Sequence, residues 1–200
     1  MAGPTAHDIP GPSQLDFSFE LDPADVGVYY DSTTGYSTIF HRDLAPFAPA
    51  EFEGAPLLPA IQDRAVLQAG RRVAQILVLT LDPVVVATDV VPFPVPPAAD
   101  PTDSTQTWAP DPFWYEEENL FPPRPEFLTG NDGSSGIRIG DFAALPFEWD
   151  SATRELKLYQ SIEVTLMLEP IPQGSLRPPV NGPNVASRAR RSNSNGSART

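Results

Sequence analysis

The stretch FEWDSATRELKLYQSIEVTLMLEP, residues 147–170, decides the fold. From Leu156 the apolar residues fall on every second position: Leu156, Leu158, Ile162, Val164, Leu166 and Leu168, broken at Gln160. The intervening Glu155, Lys157, Tyr159, Ser161, Glu163, Thr165 and Met167 are mostly polar. A strand points alternate side chains to opposite faces, so this pattern reads as one long strand with one buried face. It places Leu156, Leu158, Ile162, Val164 and Leu166 in the core and Glu155, Lys157 and Glu163 in water. Ahead of it Asp150-Ser-Ala-Thr-Arg154 is a run of turn formers, preceded by the apolar run from Phe142 to Trp149. Strand, turn, strand makes a closing hairpin.

Working outward, proline sets the limits on helix. The 200 residues include 25 prolines, each lacking a backbone donor and disfavoured inside helices. They cluster at Pro92, Pro94, Pro96 and Pro97, at Pro110 and Pro112, and at Pro122, Pro123 and Pro125. Long helices are confined to the gaps 24–45, 60–82, 126–145 and 147–169, and the last already reads as strand. A short helix over Ile61–Ala69 stays open. LDFSFEL at 15–21 alternates with period two, and strand fragments follow at 26–30 and 36–41 around the turn Asp31–Gly35. Residues 43–60 read as irregular. Val73–Leu81 and Val84–Val91 read as two strands joined at Asp82-Pro83, because β-branched residues dominate the second. The chain from Pro92 to Asp111 reads as loop, Gly130–Gly136 as a long turn, and 137–141, 142–149 and 155–168 as strands. Eight to ten short strands at turn-marked spacing predict an all-β, antiparallel β-sandwich or barrel.

The chain reads as a flexible leader (1–14), one β domain (15–172) and a disordered basic tail (173–200). Up to Gln173, eight basic residues stand against all 26 acidic ones, a balance of −18; the last 27 residues carry five arginines and no acid, +5. An acidic body repels phosphate backbones, which argues against nucleic acid as a partner. The tail is rich in Ser, Asn and Pro and poor in apolar residues, a composition that does not build a core. No apolar run reaches the ~18 residues of a membrane span. The opening MAGPTAHDIPGPSQ shows neither a basic nor an apolar signal-peptide region. That leaves either a cytoplasmic chain or one whose natural start differs from Met1.

Candidate chemistry is sparse. With no cysteine, a disulfide, a thiolate metal site and a cysteine nucleophile are excluded within the chain. His7 lies in the leader, and His41 reads as a surface imidazole beside an aromatic strand. The single lysine, Lys157, falls on an exposed strand face. Glu116-Glu117-Glu118 reads as a solvated acidic patch. Asn131-Asp-Gly-Ser-Ser-Gly lacks the alternating oxygen ligands and closing Glu of a calcium loop and reads as a hairpin turn. Phe113, Trp114, Tyr115 and Phe121 could form a carbohydrate platform, but core and rim packing is the default for such residues. No catalytic residue, metal ligand or cofactor site is assigned.

Two stretches carry a family likeness. One is Glu53-Gly54-Ala55-Pro56-Leu57-Leu58-Pro59, followed by Val66-Leu67-Gln68-Ala69-Gly70 and the apolar strand from Val73. The other is Gly136-Ile137-Arg138, the run Phe142–Trp149, the turn Asp150-Ser-Ala-Thr, and Glu155-Leu-Lys-Leu-Tyr followed by Ile162-Glu-Val-Thr. Over residues 15–170 this order resembles the N-terminal propeptide domain of gingipain-like cysteine peptidases. The closing turn departs from it, with Ser-Ala-Thr-Arg where the family usually has Pro-Ala-Thr-Gly.

The resemblance implies an antiparallel β-sandwich or barrel of prodomain type, without catalytic activity of its own. It implies a cysteine peptidase domain as partner, in cis or in trans, which the domain helps to fold or inhibits. It also implies a secreted or cell-surface location. The presenting element is expected in the loop Pro92–Asp111, which holds no Arg or Lys, with Arg124 and Arg138 as alternative contacts. Processing is expected in the tail at Arg188, Arg190 and Arg191. The alternative is a non-enzymatic binding or surface module of a secreted multidomain protein. A stand-alone enzyme carries the least support, since no catalytic constellation is present.

Overall fold

The computed structural model describes residues 13–49, 52–97, 109–116, 118–134 and 137–171. The first twelve residues of the expected leader and the tail from 172 onward, with Arg188, Arg190 and Arg191, lie outside these. The architecture is all-β and antiparallel. Eleven strands are described, with one short 3-10 turn at Pro23–Asp25 and one four-residue helix.

The spine is β11, Glu155–Pro170. Its apolar alternation holds: Leu156, Leu158, Ile162, Val164 and Leu166 are all fully buried, each contributing about 1.5–3 kcal/mol of burial. Of the residues placed in water, Glu163 is exposed, whereas Glu155 and Lys157 are half-buried. One edge of β11 carries β1, Gln14–Glu20, and then β10, Phe147–Asp150, with the short β7, Leu120–Phe121, beyond β10. The other edge carries β6, Arg71–Ala87, along nearly the whole of β11. The closing hairpin is therefore β10, the turn 151–154 and β11.

A second sheet runs in the order β4 (Ala45–Phe47), β5 (Leu58–Leu67), β9 (Ile137–Ala144) and β8 (Glu126–Ser134). It packs on the first through rings and small residues. Phe17 of β1 meets Phe142 of β9 at 5.2 Å between ring centroids. A side chain at Gly140 of β9 would run into Val73 of β6. The hairpin β2 (Val26–Asp31) and β3 (Tyr36–His41) forms a separate two-stranded sheet. The sheets form a sandwich and not a closed barrel.

Several local readings are corrected. Ile61–Ala69 is not helix; most of it lies in β5, where Ile61 to Leu67 pair antiparallel with β9. Residues 43–60 are not wholly irregular, since β4 and the start of β5 lie there. The two strands expected around Asp82-Pro83 are one, β6. Asp82 takes a left-handed φ of 54°, and the strand continues past Pro83. Because β6 pairs only with β11 among the described strands, an edge strand can accommodate the missing N–H. Gly130–Gly136 is not a long turn, for β8 runs to Ser134 in register with β9. The run 142–149 divides at Leu145-Pro146 between β9 and β10, which belong to different sheets.

Candidate functional site

The segment after β6 has a backbone problem set by its own prolines. Pro92 and Pro94 supply no N–H, so 90–95 cannot build a continuous ladder. Its carbonyls are satisfied one at a time by different elements. Val90 O accepts from the Trp149 indole (2.8 Å), Val91 O from Ser37 N–H (2.7 Å) and Pro92 O from the Tyr115 hydroxyl (2.9 Å). Phe93 O accepts from Leu57 N–H and Val95 O from Gly54 N–H. Two isolated bridges result, Ser37 to Pro92 and Pro56 to Pro94. The first part of the expected loop is thus extended chain, with Pro92, Pro94 and Val95 buried.

Gly54 joins the two stems of that loop. Its N–H donates to Val95 O at 3.0 Å, and its own carbonyl accepts from Asp111 N–H at 2.9 Å. Its φ is +77°, and a Cβ there would sit 2.9 Å from Asp111 N. Only glycine meets both demands without strain. Residues 98–108, the middle of the expected presenting loop, lie outside the described residues.

The far stem is fixed by aromatic packing. Asp111 caps the helix α1, Pro112–Tyr115, by accepting from Phe113 N–H. Trp114 packs edge-on against Phe52 and Phe121, and Tyr115 tilts against Trp149. Burial pushes the Tyr115 hydroxyl well above the ordinary phenol range, with Tyr36 adding to it. Phe113 remains exposed at 47%. Three of the four grouped aromatics, Trp114, Tyr115 and Phe121, therefore serve packing. Beside the near stem lies an apolar hollow of about 210 Å³, lined by Ile39, Pro46, Leu57, Leu58 and Phe93 among others. It is suited to an apolar side chain, not to polar chemistry.

The two arginines singled out from the sequence are not brought together. Arg124 precedes β8, with its guanidinium 5.5 Å from the Phe127 ring centroid. Arg138 opens β9 opposite Gly133, at the other end of the β8–β9 hairpin. The strand between them spans about 20 Å.

Two further readings are corrected. His41 is buried at 3%, because β3 turns Ser37, Ile39 and His41 inward. Its Nδ1 accepts from Asp43 N–H at 3.2 Å. Lys157 is not free on an exposed face: it is half-buried and pairs with Glu148 at 3.0 Å. The hydrogen bond to that carboxylate, and its charge, hold the ammonium above its ordinary range. Of the acidic run Glu116 and Glu118 are exposed, while Glu117 lies outside the described residues.

The clamp residue Gly54 was visible in the sequence only as part of the Gly-Ala-Pro-Leu-Leu-Pro motif. The signal for its role was glycine beside proline, which marks a special backbone position without naming what it joins.

No family model matches the chain, and no match was found among curated protein sequences. Solved structures do match. One, described under zymogenic latency of gingipain K from Porphyromonas gingivalis, superposes with a TM-score of 0.62 at 17% identity, over 80% of this chain and 88% of that one. Another, from the complex of Porphyromonas gingivalis RgpB pro- and mature domains, gives 0.58 at 15% identity, over 81% and 82%. No helix among the described residues is long and apolar enough to cross a membrane. The fold implied by the closing hairpin and the Gly-Ala-Pro-Leu-Leu-Pro segment is the fold of the chain: it is gingipain-prodomain-like.

Proposed function

We propose that the chain is a non-catalytic, propeptide-type domain that assists the folding of, or inhibits, a gingipain-like cysteine peptidase, and that it acts outside the cell. The observation that carries this reading is the shared fold, which covers 80–81% of this chain and 82–88% of the compared chains. The complex of pro- and mature domains among those structures supports a peptidase domain as the partner. The Gly54 clamp supports a presenting role for the segment Pro92–Asp111, since it fixes both of its described ends, at Val95 and at Asp111. Arg124 and Arg138 are the alternative contacts, and their separation means that one compact cleft cannot engage both. Processing is assigned to Arg188, Arg190 and Arg191, in a segment of five arginines and no acid.

The test is turnover by a gingipain-like peptidase mixed with the purified chain, using an Arg and a Lys substrate. Slowing at micromolar concentration is expected, together with a higher refolding yield when the domain is present. If neither occurs, the binding or surface module reading takes its place. Limited trypsin digestion should cut first after Arg188, Arg190 or Arg191. First cuts at Arg71, Arg72 or Arg138 would contradict the assigned domain.

A further inference from the structure

The proline-rich segment after β6 changes partner at Phe93. Ser37 N–H donates to Val91 O at 2.7 Å and Phe93 N–H donates to Ser37 O at 2.9 Å, so residues 91–93 run parallel to β3. Beyond Phe93 the bonds go to the other side. Leu57 N–H donates to Phe93 O and Val95 N–H to Ala55 O, both at 2.7 Å, and Gly54 N–H donates to Val95 O at 3.0 Å. A regular extended chain sends the N–H groups of alternate residues to one side. In Val91-Pro-Phe-Pro-Val-Pro96 the donors Phe93 and Val95 are alternate residues, yet they bond on opposite sides.

β3 offers the same groups a second lane. Ser37 bonds away from β2, so by the alternation of an antiparallel pair Ile39 and His41 also turn their N–H groups away from it. Among the described residues nothing bonds the Ile39 N–H, the Ile39 carbonyl or the His41 N–H on that side. The apolar hollow of about 210 Å³ is bounded by both lanes, by Thr38 and Ile39 on one and by Leu57 and Leu58 on the other. Continuing the Ser37 register gives Ile39 N–H to Phe93 O, Val95 N–H to Ile39 O and His41 N–H to Val95 O. Pro94 and Pro96 fall where an N–H would face away from β3, so this lane loses no donor to them.

We propose that residues 93–95 are a two-position switch. In the first position, the one observed, they lie on 54–57; in the second they cross the hollow onto Ile39 and His41 of β3. Each position makes three of these bonds and leaves three backbone groups without them, so hydrogen bonding alone favours neither. A small bias is then enough to move the population. The consequence falls at Gly54. In the first position it holds Val95 and Asp111 together; in the second Val95 leaves it and the two stems part. That this opens a presenting segment rests on the function proposed above, whereas the switch itself does not.

Amide hydrogen exchange on the unaltered full chain separates a switch from fraying. Switching strips the Gly54 and Leu57 N–H groups of their acceptors but gives the Val95 N–H a new one. Relative to their unfolded-chain rates, Gly54 and Leu57 should therefore exchange about tenfold or more faster than Val95. Val95 exchanging as fast as Leu57 overturns the proposal, since all three bonds would then open together. So does Leu57 exchanging as slowly as Val164, in the fully buried face of β11. Because the chain has no cysteine, cysteine pairs can trap each position. Pro56→Cys with Pro94→Cys should cross-link the first, where these residues are bridged. Ile39→Cys with Pro94→Cys should cross-link the second, more slowly, under folding conditions, since paired Cα atoms lie within bonding range. If that second pair closes only in urea, the second position is not visited and the proposal fails. No peptidase enters either measurement, so failure here is distinct from failure of the proposed function.

Discussion

Trp149 donates its indole N–H to the carbonyl oxygen of Val90 at 2.8 Å, with both residues buried. The bond ties the closing hairpin to the segment that leads into the 92–111 region. Trp149→Phe keeps most of the packing but leaves the Val90 carbonyl without this donor. A stranded buried acceptor costs about 1–3 kcal/mol. Urea denaturation should show that loss. Tyr115→Phe, which removes the hydroxyl from the Pro92 carbonyl, should cost a similar amount.

The two faces of β11 predict opposite sensitivities. Ile162 is fully buried and its neighbour Glu163 is exposed. Ile162→Asp introduces an unpaired buried charge and should cost about 3–5 kcal/mol. Glu163→Ala should stay within about 0.5 kcal/mol. Equal midpoint shifts for the two would mean that the strand is out of register.

β11 was legible because one face is fully buried, so period two is enforced at almost every residue. The Asp82-Pro83 pair misled because the same dipeptide that ends a central strand is tolerated as an irregularity on an edge. Gly130-Asn-Asp-Gly misled in a related way: β8 is an edge strand of its sheet, and turn-forming residues there are held by pairing with β9 rather than by their own preferences. His41 looked like a surface residue by type, yet the alternation of Ser37, Ile39 and His41 already placed it inside. The junction at Gly54 was not legible, because it joins residues 95 and 111 across a gap that no local pattern spans.

Gly54 and Gly35 separate strain from collision. Both have φ near +80°, but a Cβ at Gly35 meets nothing within 4 Å, whereas one at Gly54 meets the Asp111 backbone. Gly35→Ala should cost about 1–2 kcal/mol, the left-handed penalty alone. Gly54→Ala should cost more and should also accelerate amide exchange at Asp111. Under the proposed function it should weaken inhibition beyond its effect on stability. Equal costs, with unchanged exchange at Asp111, would show that the stems are not clamped there.

Acid should destabilise the domain through two turns. At Asp31 the Thr33 N–H and the Thr34 hydroxyl hold the carboxyl below its ordinary 3.8. At Asp150 burial alone would raise the carboxyl, but hydrogen bonds from the 151–154 turn, at Thr153 and Ala152, outweigh it and the carboxyl is lowered. A carboxyl lowered in the folded state favours folding above its unfolded value. That contribution is present above about pH 4 and is lost as the pH falls through the depressed values. Both residues are only half-buried, at hairpin turns, so each step should be small. Asp150→Asn keeps an acceptor for the turn but cannot titrate. It should flatten the stability profile below about pH 4, and Asp31→Asn should do the same independently, because the turns lie in different sheets. Profiles that match the parent below pH 4 would place the acid sensitivity in other carboxyls.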